Sequence, residues 1–243
     1  MKRDQLFAAQ DRAIAEFDFG SATAEVFDDM LLRSIPLYTE LQRMLGEMTA
    51  TLAQPGSQLY DLGCSTGTTL ATLDSSVAEG VTLVGVDASP AMLAQAAERL
   101  AIPKRQGRIR LQQADLNDGV VIENASLVLL NLTLQFIRPL RREPLLQQIR
   151  AGLRDNGALI LVEKVLGNDS LYNRLFTGFY YDMKRRNGYS ALEIANKREA
   201  LENVLVPYRV DENIELLRRN GFTHVEIFFK WYNFAGLLAI AAP

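Results

Sequence analysis

The pattern of apolar and polar positions changes period along the chain. Short, unbroken runs of Leu, Val and Ile recur between stretches whose apolar residues fall at helical spacing. "SQLYDL" (57–62), "VTLVGVD" (81–87), "RIRLQQAD" (108–115), "ASLVLLNLTLQF" (125–136) and "GALILVEKV" (157–165) read as strands. "TGTTLATLDSSVA", "SPAMLAQAAERLA" and "REPLLQQIRAGL" lie between them and read as helices. Alternation of this kind predicts a doubly wound α/β sheet covered by helices on both faces. Runs this apolar suit central parallel strands, which are buried on both sides. The tail "HVEIFFKWYNFAGLLAIAA" predicts two more strands joined around 230–233, closing the sheet as an antiparallel pair. The sheet then has seven strands and is mostly parallel.

Boundary residues support this division. Ser89 can cap a helix that begins at Pro90, where the missing N–H is no loss. Gly157 in "LRDNGAL" is placed just past a helix end, where a left-handed residue costs least. Residues 1–56 read mainly as helices with a lead-in loop. Residues 168–208 read as an inserted helical layer, and 209–243 as a last helix with the closing strands. The expectation is one α/β domain over 1–243, with its core at 57–165 and a helical lid.

Composition narrows the class. The chain has 243 residues, 48% of them hydrophobic and 23% charged, enough for one sizeable core. A net charge of −3 argues against a surface built to neutralise phosphates, so no direct nucleic-acid binding is expected. The basic runs at 103–110, 184–186 and 218–219 read as solvated faces. No apolar run reaches membrane-spanning length and the first residues lack a signal-peptide pattern, which predicts a cytoplasmic protein with no membrane partner. The single cysteine excludes an intramolecular disulfide. With His224 the only histidine, neither a metal site nor a histidine-based triad is expected.

The candidate chemistry starts at "YDLGCSTGTTL" (60–70), a strand, a turn with two glycines and a helix. Gly63 and Gly67 permit a sharp turn and close approach of a ligand to backbone N–H groups. Three more polar residues fall at strand ends. Asp87 can accept from a ribose diol, Asp115 can read an adenine edge, and Asn131 stands near a ligand's reactive end. Asp61 can meet an ammonium group or satisfy loop amides. Asp87 and Asp115 could instead merely cap the helices that follow them.

This set resembles the class I S-adenosylmethionine-dependent methyltransferases, a Rossmann-like fold, over roughly 56–165 and the closing strands. A closer resemblance, to the carboxy-S-adenosylmethionine synthases, runs over nearly the whole chain. It is carried by "AEVFDDMLLRSIPLY", "QPGSQLYDLGCS", "DASPAM", "IENASLVLLNLTLQF", "GALILVEK", "RRNGYSALEIANKREALENV" and "GFTHVEIFFKWYNFAGLLAI". Ala88 departs from the family's asparagine and keeps only a backbone contact.

The resemblance implies S-adenosylmethionine as substrate, carboxy-S-adenosylmethionine as product and prephenate as the carboxyl donor, released as phenylpyruvate. A sulfonium acidifies its own methyl group, and the donor's leaving hydroxide removes that proton, so no protein base is expected. It implies ligand contacts at Tyr38, Gly63, Cys64, Ser65, Asp87, Ala88, Asp115, Leu116 and Asn131, with Arg198 holding the new carboxylate through its guanidinium fork. It also implies a homodimer and a functional link to a tRNA carboxymethyltransferase acting on wobble uridine. Read without the resemblance, Arg198 is a surface residue able to pair with Glu202, and Tyr38 a packing aromatic. Arg174, Lys184, Arg185 and Arg186 are further candidates for the dianionic donor. Methyl transfer to a small molecule or tRNA, and a non-catalytic module that binds the ligand, are the competing readings.

Overall fold

The computed structural model describes residues 2–8, 15–102 and 106–241. Seven strands form one sheet: β1 (Gln58–Leu62), β2 (Thr82–Asp87), β3 (Ile109–Gln113), β4 (Ala125–Asn131), β5 (Leu153–Lys164), β6 (Phe222–Trp231) and β7 (Phe234–Ala241). Their order is β3-β2-β1-β4-β5-β7-β6. Neighbours among β1 to β5 are parallel, whereas β7 runs antiparallel to both β5 and β6. The helices are α1 (Ser21–Ser34), α2 (Tyr38–Leu52), α3 (Thr68–Asp74), α4 (Pro90–Arg99), α5 (Pro139–Gly152), α6 (Ser170–Arg186), α7 (Ala191–Ala200) and α8 (Val210–Arg219).

The two-residue period of the strands divides the core in two. Tyr60, Leu62, Val128, Leu130, Leu159 and Leu161 point to one face, where Leu145 and Ile149 of α5 and Leu216 of α8 cover them. Leu59, Leu127, Leu129, Ile160 and Val162 point to the other, against Leu41 and Leu45 of α2, Leu70 of α3 and Tyr180 of α6. Leu127 and Leu129 are fully buried, so truncating either to Ala removes about 2–5 kcal/mol. Strand order reverses between β1 and β4, and the ligand crevice of such a sheet opens at the carboxyl ends of the strands beside that point.

Capping follows the sequence at α4, where the Ser89 side chain accepts the Met92 N–H ahead of Pro90. In the inserted layer, Asp169 caps α6, and Ser190 with Glu193 forms a reciprocal box at the start of α7. Two expectations are corrected. Helix α5 ends at Gly152 and β5 starts at once, so Gly157 is not a helix terminus. The left-handed residue there is Asn156, at φ 58°, whose polar side chain tolerates that region. The run 184–186 is not wholly a solvated face, because Lys184 is buried against the rings of Tyr180 and Tyr189. Residues 103–105 of the first basic run lie outside the described residues.

The N-terminal segment crosses the crevice. Phe17 donates its N–H to the carbonyl of Ala200 at 2.9 Å, which ties the segment to the end of α7. Its ring meets Phe19 edge-on, and Phe19 meets Phe136 in the same way, at centroid distances of 5.1 and 5.2 Å. Among the described residues no helix is long and apolar enough to cross a membrane.

Candidate active site

The turn after β1 builds the floor of the site. Gly63 lies at φ 80°, and a Cβ there would sit 2.4 Å from Thr133 Oγ1. Its N–H and that of Cys64 both donate to the carbonyl of Val86, at 2.7 and 3.0 Å, binding the turn to β2. Ser65 takes a left-handed conformation at φ 48°, a position at which glycine would cost less. Gly67, at φ 76°, then starts α3. Cys64 is buried, and burial pushes its thiol well up, so it acts by shape and backbone and not as a thiolate.

A cavity of about 370 Å³ opens over this turn. Tyr38, Gly63, Cys64, Ser65, Asp87, Ala88, Asp115, Leu116 and Asn131 all line it. Arg198 does not. It lies exposed on α7, outside the cavity of its own chain, and makes no ion pair with Glu202. The neighbouring Lys197 lines the cavity instead.

Each strand-end acid has a distinct setting. Asp87 accepts the Ser65 N–H on one oxygen at 2.9 Å and the Ser89 N–H on the other at 2.8 Å. Capping the next helix therefore uses only part of its acceptor capacity. Burial raises its pKa, and those N–H groups pull it back. Asp115 lies two residues past β3 and accepts from the backbone and side-chain amides of Asn117.

Asp61 is 1% exposed, and its Oδ2 has no hydrogen-bond partner. Burial, and then the Asp87 charge, push its carboxyl up to about 7. Satisfying loop amides is therefore not the role of that oxygen. Asn131 donates Nδ2–H to Thr69 Oγ1 at 3.2 Å, while its Oδ1 is also buried without a partner. Two orphaned acceptors in one cavity suit a multi-hydrogen donor such as an amino-acid ammonium. Tyr38, the first residue of α2, is buried close enough to Asp61 and Asp28 that they add to the upward push of burial on its phenol.

Pattern reading missed the cavity's lysines. Lys164 lines the cavity at the end of β5, and Lys197 lines it from α7. The rule that picks out Asp87 and Asn131 at strand ends applies equally to Lys164 in "VEKV". Lys197 had no such signal. Of the donor candidates from the inserted layer, Arg174, Arg185 and Arg186 are exposed, and Lys184 is buried beside the cavity without lining it.

The strand order, the Gly63–Gly67 turn and the ring of strand-end residues define the class I S-adenosylmethionine-dependent methyltransferase fold. Residues 60–159 match a family described as a methyltransferase domain. An O-methyltransferase family protein from Burkholderia thailandensis superposes with a TM-score of 0.67 at 16% identity, covering 95% of this chain and 65% of that one. The chain thus spans less than two thirds of that longer protein, and the likeness is one of fold.

Sequence relatives are far closer. Carboxy-S-adenosyl-L-methionine synthase of Methylococcus capsulatus is 55% identical over 241 residues, 99% of this chain and 100% of the relative. The protein of the same name from Yersinia pestis is 40% identical over 242 residues, covering 99% and 90%. This chain belongs to the carboxy-S-adenosyl-L-methionine synthase family.

Proposed function

We propose that this protein transfers a carboxyl group from prephenate to the methyl carbon of S-adenosylmethionine, releasing phenylpyruvate. The observation that carries the reading is full-length identity of 55% to a synthase of that name, joined to a cavity that all nine non-arginine ligand positions line. Asp87 would hold the ribose diol, and Asp115 with Leu116 the adenine edge. Asp61 and Asn131 would hold the ammonium, whose hydrogens match their orphaned acceptors. The sulfonium supplies an acidified methyl group. The product serves wobble-uridine modification through a partner tRNA carboxymethyltransferase in the cytoplasm.

Arg198 enters this reading from a second copy of the chain. An exposed guanidinium outside its own cavity can meet a carboxylate there only across an interface. The exposed Leu171, Tyr172, Leu175 and Phe179 of α6 form an apolar stripe suited to a homodimer. Arg198→Ala is expected to weaken binding of carboxy-S-adenosylmethionine much more than that of S-adenosylmethionine. Equal loss for both would remove Arg198 from that role. Leu175→Glu should convert a dimer to monomers in sedimentation and reproduce the selective loss.

The first experiment is to incubate the purified protein with S-adenosylmethionine and prephenate, then to weigh the nucleoside released on denaturation. A species heavier by one carbon dioxide, formed only with prephenate, is the expected result. S-adenosylhomocysteine alone would return ordinary methyl transfer to the lead. Bound carboxylated ligand without turnover would favour a storage module.

A further inference from the structure

The cavity is divided electrostatically. Asp61, Asp87 and Asp115 belong to its acidic part, while Lys164 and Lys197 line the same cavity, and of these two lysines only Lys197 has a carboxylate, Asp4, within ion-pair distance among the described residues. Among the described residues Lys164 forms no ion pair, and its ammonium stands 5.3 Å from the centre of the Tyr180 ring. Burial alone pulls its pKa down, with no carboxylate acting to raise it. Lys197 is 6% exposed; its Nζ donates to Ser34 Oγ at 3.3 Å and lies 3.9 Å from Asp4 Oδ2. That Asp4 oxygen already accepts the Tyr189 hydroxyl at 2.5 Å, and the other accepts the Leu6 N–H.

The two lysines belong to a row of alternating cations and rings. Lys164 and Lys184 both face the Tyr180 ring, and Lys184 and Lys197 both face the Tyr189 ring. Of its three lysines, only the two at the ends line the cavity. A buried ammonium without a counter-ion destabilises the folded chain, and repulsion from the next one adds to the cost. An anion entering the cavity removes that cost at Lys164 and gives Lys197 a second partner beside Asp4, whose nearer oxygen is shared with the Tyr189 hydroxyl. One carboxylate cannot neutralise two ammoniums, whereas a small molecule with two carboxylates can. Tyr180 and Phe234, which also line the cavity, provide a surface for its apolar body.

We infer that Lys164 and Lys197 form a binding site for a small dicarboxylate, separate from the residues that hold the nucleoside. The carboxyl donor of the proposed reaction is of this class, and naming it as the occupant rests on that reading. The lysines are binding residues here. Neither is asked to move a proton.

The test measures binding of prephenate and of malonate to protein saturated with S-adenosylhomocysteine, for wild type, Lys164→Met and Lys197→Met. Each variant is expected to lose at least about tenfold in affinity for both dianions, one charge-assisted contact being worth that much. Affinity for S-adenosylhomocysteine should stay within about twofold. The thermal stability of Lys164→Met should not fall, because a buried charge without an ion-pair partner has been removed, whereas Lys197→Met takes the cation from Asp4 and should lower it. Dianion affinity unchanged in both variants would overturn the inference. So would a parallel loss of S-adenosylhomocysteine, which would make the lysines partners of the methionine carboxylate. Wild type binding neither probe would overturn it as well. Lysine-dependent malonate binding in a protein that does not turn over prephenate would uphold the dicarboxylate site and overturn the proposed reaction.

Discussion

The backbone N–H of Ser65 donates to Asp87 Oδ2 at 2.9 Å, fastening the turn after β1 to the end of β2. The second oxygen of Asp87 is taken by the N–H of Ser89 at 2.8 Å. One carboxylate therefore sets the shape of the turn, starts α4 and keeps lone pairs free for a ligand. Its charge offsets the left-handed strain at Ser65, a non-glycine residue at φ 48°.

Replacing Asp87 by Asn tests this double duty. An amide has one acceptor oxygen, so its NH2 group must face the N–H of either Ser65 or Ser89. S-adenosylmethionine affinity is expected to fall at least about tenfold, with a loss of about 1–3 kcal/mol in stability from the mismatched donor. Calorimetric titration and denaturant unfolding read the two separately. A loss of affinity with stability intact would confine Asp87 to the ligand.

Gly63 tests the turn itself. A methyl group there would collide with the Thr133 side chain, whose Oγ1 and Cγ2 stand 2.4 and 2.6 Å from the ideal Cβ position. The left-handed φ of 80° adds strain of about 1 kcal/mol or more for any L side chain. Gly63→Ala is expected to abolish detectable S-adenosylmethionine binding and to lower the melting temperature. Adding Thr133→Ala should restore part of the stability by removing the collision while leaving the φ strain. No recovery in the double variant would place the whole cost in the backbone.

The strand ends were legible because the sheet rule is local. A polar residue closing an apolar run marks a crevice position, and that singled out Asp61, Asp87, Asp115 and Asn131 without knowledge of the packing. Lys197 was not legible, because its burial depends on Asp4, Ser34 and Tyr189, which are far from it in sequence and meet only in the fold. Arg198, one residue on, sits on an exposed face of the same helix. Spacing alone could not tell which of two adjacent cations faces inward. The turn at Asn156 misled for a related reason. Glycine is the usual left-handed residue, but here Asn156 takes that conformation and Gly157 lies close to the Arg154 carbonyl, with an ideal Cβ only 2.8 Å from it.

Arg142 makes a case for a buried charge that shapes the cavity wall. It is 1% exposed, and its guanidinium donates to the carbonyls of Ile137, Gln135 and Val206 while lying 4.2 Å from the centre of the Tyr208 ring. Those carbonyls join the turn after β4 to the segment following α7, and Gln135 and Ile137 line the cavity. Arg142 also pulls down the pKa of the buried Glu163, which burial pushes well up. Arg142→Met leaves the three carbonyls short of a donor and is expected to cost about 3–5 kcal/mol. Adding Glu163→Gln should recover part of that loss, since the acid is then no longer without its cation. Denaturant unfolding of the two single variants and the double gives the coupling. Strict additivity would show that Glu163 and Arg142 act independently.

Asp61 predicts a pH dependence of definite sign. Its folded pKa of about 7 lies above the usual carboxylate value of about 3.9, so the folded chain binds more protons than the unfolded one between them. Its contribution to stability is complete below about pH 4 and is lost as pH rises towards about 7. Asp61→Asn should remove this slope and leave the ligand-free protein more stable than wild type at about pH 8. The opposite should hold for the ligand. An ammonium beside Asp61 favours its ionised form, so S-adenosylmethionine binding at about pH 6 should release a proton and should tighten as pH rises towards 7. Calorimetry in two buffers of different ionisation heat counts that proton. No release at pH 6 from wild type, or an equal release from Asp61→Asn, would assign the ammonium to other partners. The variant's affinity should drop at least about tenfold above pH 7, where wild type presents the full charge.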